Sequence, residues 1–268
     1  MPSSVKAKTP RGIEIVFEEE PHVYYSLLPL KDDAGKDYKP VRIEYTSGTR
    51  FVHMFMPPFD PDGTITANCA RKRGVSVEQI KFEWKQKSAE SCEMGTRVHA
   101  TCEDFFYNRA CRFHPLTEKE FKLMDAGITA ARHIRSKFNI LGVEQLVGDD
   151  RIELAGSIDL LAFDPKENTY WILDWKTNAK IDFDNTFMTG QFMFPPIDTL
   201  KNCNAVHYGL QLSTYEFILK FGGYVPRNAA VRRAIIHLTE QGPQFYELPD
   251  YSINVRDMMI EKLITLPF

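Results

Sequence analysis

Ala155-Gly156-Ser157-Ile158-Asp159-Leu160-Leu161-Ala162-Phe163-Asp164, Pro165-Lys166-Glu167-Asn168 and Thr169-Tyr170-Trp171-Ile172-Leu173-Asp174-Trp175-Lys176 follow one another without interruption. Two runs rich in apolar residues flank four turn-formers, the pattern of a β-hairpin. If Asp164 faces Thr169, counting back along one strand and forward along the other sets Asp159 opposite Asp174. Their Cβ atoms would then lie roughly 5 Å apart on one face. Lys176 points to that face by the two-residue period of a strand. Two carboxylates and an ammonium on apolar strands are costly to bury unless something compensates them, and a divalent cation does so most economically.

The rest of the chain sets bounds on this reading. With 268 residues, 43% of them hydrophobic and 26% charged, the composition is that of an ordinary globular protein with a substantial core. No apolar run is long enough for a transmembrane helix, so no membrane partner is expected. Residues 1–11 are basic but have no apolar stretch, which excludes a secretory signal and leaves a frayed tail or a short mitochondrial transit peptide. The five scattered cysteines, none in CxxC spacing, point to a reducing intracellular compartment and argue against a zinc ribbon. A net charge of -3 excludes a wholly basic DNA-coating protein. Residues 71–97 nevertheless hold seven basic side chains against four acidic ones. That patch is either a phosphate-facing surface or a solvated helix face.

Residues 13–17, 23–27 and 41–45 read as short strands, with a loop at 31–35. Thr46-Ser47 caps a short helix through Phe51 and Phe55 that stops at Pro57-Pro58. A second helix opens at Ser88 or Ser91 and runs past Met94, Val98 and Cys102. A third opens with the capping box Thr117-x-x-Glu120, and Phe121, Met124, Ile128, Ala131, Ile134 and Phe138 form its apolar stripe. Strands follow at 141–147, 151–163 and 170–176, then an aperiodic stretch, 177–203, with Phe183, Phe187, Phe192 and Phe194. Such stretches are often binding loops, although core filling explains the rings equally well. A helix at 205–221 ends at Gly222-Gly223, strands at 232–238 and 244–248 follow, and a last helix runs to Leu263. Helices before and after a block of strands predict an α/β fold with a central mixed sheet flanked by helices. Residues 1–87 form an N-terminal β-rich elaboration and 88–268 the core, together one compact unit.

Further polar residues fall near the hairpin. A two-residue turn at Asp149-Asp150 sets Glu144 opposite Ala155, which shares parity with Asp159. Glu144 then joins the same face unless the register slips by one residue or Gly156 hosts a bulge. Gly95-Thr96-Arg97-Val98-His99 lies on a helix, with Glu103 one turn on. Gln211 and Tyr215 share a helix face, with His207 one turn earlier. Alone, each of these is as compatible with packing as with a site.

In this order the residues resemble the PD-(D/E)XK nuclease superfamily, and within it the RecB-like exonuclease branch. The matches are Gly95-Thr96-Arg97-Val98-His99, Glu144, Gly156-Ser157-Ile158-Asp159, Asp174-Trp175-Lys176 and Gln211-Leu212-Ser213-Thr214-Tyr215. Residues 45–59 loosely resemble the leader region of viral and mitochondrial genome-maintenance exonucleases. The resemblance implies a restriction-endonuclease-like core. It implies one or two Mg²⁺ or Mn²⁺ ions held by His99, Asp159, Asp174 and the Trp175 backbone carbonyl, with Glu144 and Lys176 completing the catalytic set. It further implies that Gln211 and Tyr215 position the phosphate or the side chains beside it. Arg97, Arg71, Lys72 and Arg73 become candidates for strand phosphates. Some relatives carry four cysteines for an iron–sulfur cluster. This chain has no cysteine beyond Cys203, so no cluster is expected.

The function so implied is a metal-dependent DNA exonuclease acting on free ends, with a preference for single strands. The alternatives are a structure-specific or restriction-like endonuclease, and a non-catalytic nucleic-acid-binding module on a nuclease fold. The carboxylates could also form a purely structural ion pair with Lys176.

Overall fold

The computed structural model describes residues 4–31, 37–184 and 190–265. Most of the loop expected at 31–35 and Phe187 lie outside the described residues. The chain opens with an antiparallel meander of β1 (Ser4–Lys8), β2 (Glu14–Glu18), β3 (Val23–Lys31) and β4 (Asp37–Ser47). The expected frayed tail is therefore, from Ser4 on, an edge strand. Its alternation is weak because nearly every side chain of β1 is exposed. Ser47 caps α1 (Gly48–His53), its side chain accepting the Arg50 N–H at 3.1 Å.

Two helices carry the basic segment. These are α2 (Thr64–Arg73), closed by Gly74 in the left-handed conformation, and α3 (Val77–Phe106). Ser76 caps α3 by accepting the Gln79 N–H, so the helix starts well before Ser88. Its first half buries only Ile80, which leaves no apolar periodicity to read. The division at residue 87 falls inside this helix. Next come α4 (Glu118–Lys137), capped by Thr117, then β5 (Asn139–Asp149), β6 (Leu154–Asp164) and β7 (Thr169–Lys176). The core face of α4 centres on Leu123, Met124, Ala131 and Ile134, whereas Phe121 is exposed. Helix α5 (Asn204–Phe221), β8 (Ala230–Thr239), β9 (Gly242–Glu247) and α6 (Ser252–Thr265) complete the chain. No described helix is long and apolar enough to cross a membrane.

One mixed sheet runs in the order β1-β2-β3-β4-β6-β7-β8-β9, with β5 paired to β6. The β4–β6 and β7–β8 pairs are parallel. Helices α3 and α4 cover one face, where Val98, Met124 and Ile134 meet Leu160, Leu173, Trp175 and Ile236. Helices α1, α5 and α6 cover the other, where Phe51, Leu210 and Met258 meet Leu161, Ile172 and Ile235. Tyr24 and Ile15 of the meander pack with Leu146 and Ala155, tying it to the core.

Strand β6 is the organising element. Strand β5 covers one of its edges from Leu154 to Phe163. The other edge is divided: β4 pairs with Leu154 and Ala155, and β7 pairs from Leu160 onward. Residues 156–159 thus face an opening between two strands. Ile158 belongs to the α5 layer and Leu160 to the α3–α4 layer, although a regular strand would turn both to one side. Strand β6 therefore rotates about its axis at Asp159.

Candidate active site

The β6–β7 register is the one counted from the Asp164–Thr169 pair, and its ladder ends at Leu160–Leu173, one step short of the aspartates. There Asp159 takes over from the backbone: its Oδ2 accepts the Trp175 N–H at 2.9 Å. Leu173 and Trp175 pack beneath α3 and α4, so alternation turns Asp174 to the α5 side.

The β5–β6 register differs from the expected one. Asp149 pairs with Leu154 across a four-residue turn, whereas the expected two-residue turn was made of Asp149 and Asp150 themselves. Asp149 is needed inside, where its carboxylate grips Arg151 through Nε at 2.9 Å and Nη2 at 2.6 Å. The shift is even, so Glu144 keeps its face, and it moves from Ala155 to a position directly opposite Asp159 between the Val143–Leu160 and Gln145–Ile158 pairs. No bulge forms at Gly156. The register instead shifts between Ile140 and Gly142, and Glu144 takes a left-handed backbone with φ at +46°. A left-handed backbone at a non-glycine residue costs about 1 kcal/mol and is often found at functional sites.

Helix α3 carries His99 to the same point, Nδ1 lying 3.3 Å from Asp159 Oδ2. Ligand atoms of His99, Glu144 and Asp159 all lie within 4.8 Å of one another. Burial, then the neighbouring Asp159 and Glu103 charges, push the Glu144 carboxyl up to about 8. Burial likewise lifts Asp174 to about 6, with Lys176 opposing the rise. Lys176 Nζ lies 2.5 Å from Asp174 Oδ2. Burial works against the Lys176 ammonium, but Asp174 and Asp159 outweigh it and hold its pKa above the ordinary value.

These residues fit a divalent cation. The set offers hard carboxylate oxygens and one imidazole nitrogen within ligand spacing, and an acid kept protonated for want of positive charge.

Other expected residues separate from this cluster. Tyr215 is buried in the α5 layer, and its hydroxyl accepts the Gln211 Nε2 hydrogen bond at 3.1 Å. Its ring packs between β6 and the start of α1, beside the opening between β4 and β7: a Cβ at Gly156 would come within 2.6 Å of Tyr215 Cε1, and one at Gly48 within 2.7 Å. Both glycines are required by this close approach. Arg97 clamps α3 to α4, with Nε 2.5 Å from Glu120 Oε1 and Nη1 2.5 Å from Glu93 Oε1. Glu120 also accepts the Leu116 N–H, where the capping box predicted a bond back to Thr117. Arg71, Lys72 and Arg73 form the exposed last turn of α2, Arg71 held by Asn68 and Arg73 by Glu83. His207 bonds Asn202 at 2.7 Å, and burial lowers its pKa to about 4, so it anchors the 177–203 segment in neutral form.

Three contributors carried no adequate signal. Ser157 Oγ donates to Glu144 Oε2 at 3.2 Å. Tyr208, one turn before Gln211, places its ring 4.7 Å from Lys176 Nζ and donates to Asn178 Oδ1 at 2.9 Å. Tyr24 comes from the meander. Burial, with the Glu144 and Asp159 charges, pushes its hydroxyl up to about 12, and nothing in β3 announces that proximity.

The fold and the carboxylate–lysine site define a nuclease of the restriction-endonuclease-like class. Residues 114–263, more than half of the chain, match the PD-(D/E)XK nuclease superfamily, and the chain belongs to it. No curated protein matches the sequence significantly. Membership makes the chain a metal-dependent nuclease and nucleic acid its substrate.

Proposed function

We propose that this chain is a divalent-metal-dependent DNA exonuclease that hydrolyses phosphodiester bonds from free ends and prefers single strands. The observation that carries the reading is the convergence of His99, Glu144 and Asp159 within ligand distance, beside the Asp174–Lys176 pair. His99, Asp159, Asp174 and the Trp175 carbonyl would hold one or two ions, the imidazole favouring Mn²⁺ over Mg²⁺. A bound ion supplies charge neutralisation at the scissile phosphate and a lowered pKa for the attacking water. Lys176, held as an ammonium, cannot accept a proton near neutrality. It serves as a donor, orienting the water or stabilising charge that develops on the phosphoryl oxygens. Tyr208 and Asp174 fix its position. Ser157 steadies Glu144, which would hold a second ion or a metal-bound water.

Tyr215 supports the site by propping open the edge of β6, and Gln211 stands between it and the substrate. Arg71, Lys72 and Arg73 meet strand phosphates at a distance from the cleavage point, and Arg97 steadies the helix that bears His99. The preference for single strands is supported by Phe192 and Phe194, each more than 40% exposed on the 177–203 segment and placed to stack on unpaired bases, beside Phe183, whose ring packs against Tyr246 at 5.5 Å.

End-labelled linear and covalently closed circular single-stranded DNA, incubated with Mg²⁺ or Mn²⁺, test this function. Degradation of the linear strand alone is expected, abolished by Asp174→Ala and Lys176→Ala. Cutting of the circle would establish an endonuclease instead, and no cleavage under either metal would refute catalysis.

A further inference from the structure

A cavity of about 600 Å³ lies where the β1–β2 turn, the β5–β6 turn and the C-terminal end of α5 meet. It is remote from the carboxylates. Leu154, at its edge of β6, is five residues or ~17 Å from Asp159. Lys220, on its edge of α5, is nine residues or ~14 Å from Gln211. Its charged lining is Arg11, Arg151, Lys220 and Arg227, four cations with no acid among them.

The acids stand behind these cations. Asp150 holds Arg11 at 2.9 Å, Asp149 holds Arg151 at 2.6 Å and Glu216 holds Lys220 at 2.7 Å, yet none of the three lines the cavity. A guanidinium has five N–H groups and an ammonium three, so each cation is fixed in place and keeps donors for a ligand. Arg227 is exposed and makes no ion pair among the described residues. Two rings line the cavity, and the Tyr224 hydroxyl is tied to the Gly148 backbone at 3.1 Å. Phe221 stacks on Phe217 at 5.6 Å and lies under Arg151 at 4.1 Å. The surface therefore offers fixed positive charge, which suits phosphodiester groups irrespective of sequence.

We infer that this groove is a second, sequence-independent anchor for the nucleic-acid backbone. The groove lies far enough from the carboxylates that a strand must run several nucleotides past the scissile bond to reach it. The inference rests on the nuclease reading and adds a length dependence to it: strands too short to span the two sites gain nothing from the groove.

The test compares wild type with the double variant Arg11→Gln/Arg227→Gln, both exposed positions outside the catalytic cluster. Fluorescent oligonucleotides of about 4 and about 20 nucleotides are titrated in EDTA over a salt series, with melting curves confirming the fold. Several-fold weaker binding of the long strand is expected, with a salt slope shallower by about 1 per charge removed and unchanged binding of the short strand. Unchanged affinity and slope for the long strand would overturn the anchor, as would an equal loss for both lengths. Cleavage of the labelled strand by wild type with Mn²⁺ is scored in parallel. Its absence defeats the nuclease reading, whereas cleavage together with unaltered binding by the variant defeats the groove alone.

Discussion

Glu144 stands opposite Asp159 across the β5–β6 pair, on a left-handed backbone with φ at +46°. Two acids face each other in a buried setting, so the arrangement favours cation binding at the expense of the cation-free fold. Glu144→Gln keeps the shape and removes the charge. It is expected to lower cleavage about 10- to 100-fold and to leave the cation-free protein at least as stable as wild type at pH 8. Cleavage rates and melting curves in EDTA check both halves. A variant that loses stability and activity together would mean that Glu144 is a structural residue.

The same pair sets a pH dependence. Without a cation, folded Glu144 keeps its proton to about pH 8, whereas the unfolded group releases it near 4.5. The folded state binds more protons across that window. This contribution to stability is therefore complete below pH 4.5 and is lost as the pH rises to about 8. Asp174 adds the same sign between 3.8 and about 6. Cation binding requires the deprotonated forms, so the gain in melting temperature on adding Mn²⁺ should grow between about pH 5.5 and 8. A gain that stays flat over that range counts against this coupling.

Lys176 separates chemistry from metal binding. Replacing it with Met removes the ammonium beside Asp174 and is expected to reduce the cleavage rate by roughly 10²- to 10³-fold. Mn²⁺ affinity, read by calorimetry, should be unchanged or tighter, because a positive charge has left the site. Weaker Mn²⁺ binding would show that Lys176 organises the ligands.

Gly156 and Tyr215 test the opening in the sheet. Gly156→Ala places a methyl against the ring and is expected to cost about 1–3 kcal/mol. Tyr215→Ala empties the wedge and costs more, roughly 3–5 kcal/mol. Denaturant unfolding of the double variant should show a loss smaller than the sum of the two, since removing the ring relieves the clash. Simple additivity would mean that the two positions do not share the contact.

Legibility followed the strength of local patterns. The strands from Asn139 to Lys176 are apolar-rich runs punctuated by turn-formers, so their existence and the β6–β7 pairing were readable. The first half of α3 packs against little, and its cap at Ser76 lies far from the apolar residues that announce its second half. The shift at Asp149 was unreadable for another reason: Asp149 turns inward to hold Arg151, a contact that turn propensity does not encode.

By itself the sequence determined the hairpin, the order of the motif residues and hence the family, because strand alternation and turn chemistry act over a few neighbouring residues. Only the tertiary structure decided that Glu144 meets Asp159, that Arg97 clamps α3 to α4, that Tyr215 is a wedge and that four cations from three distant segments line one groove. Each of these depends on which side chain of a remote element fills a particular space. That choice is made by packing across the whole core and leaves no local trace.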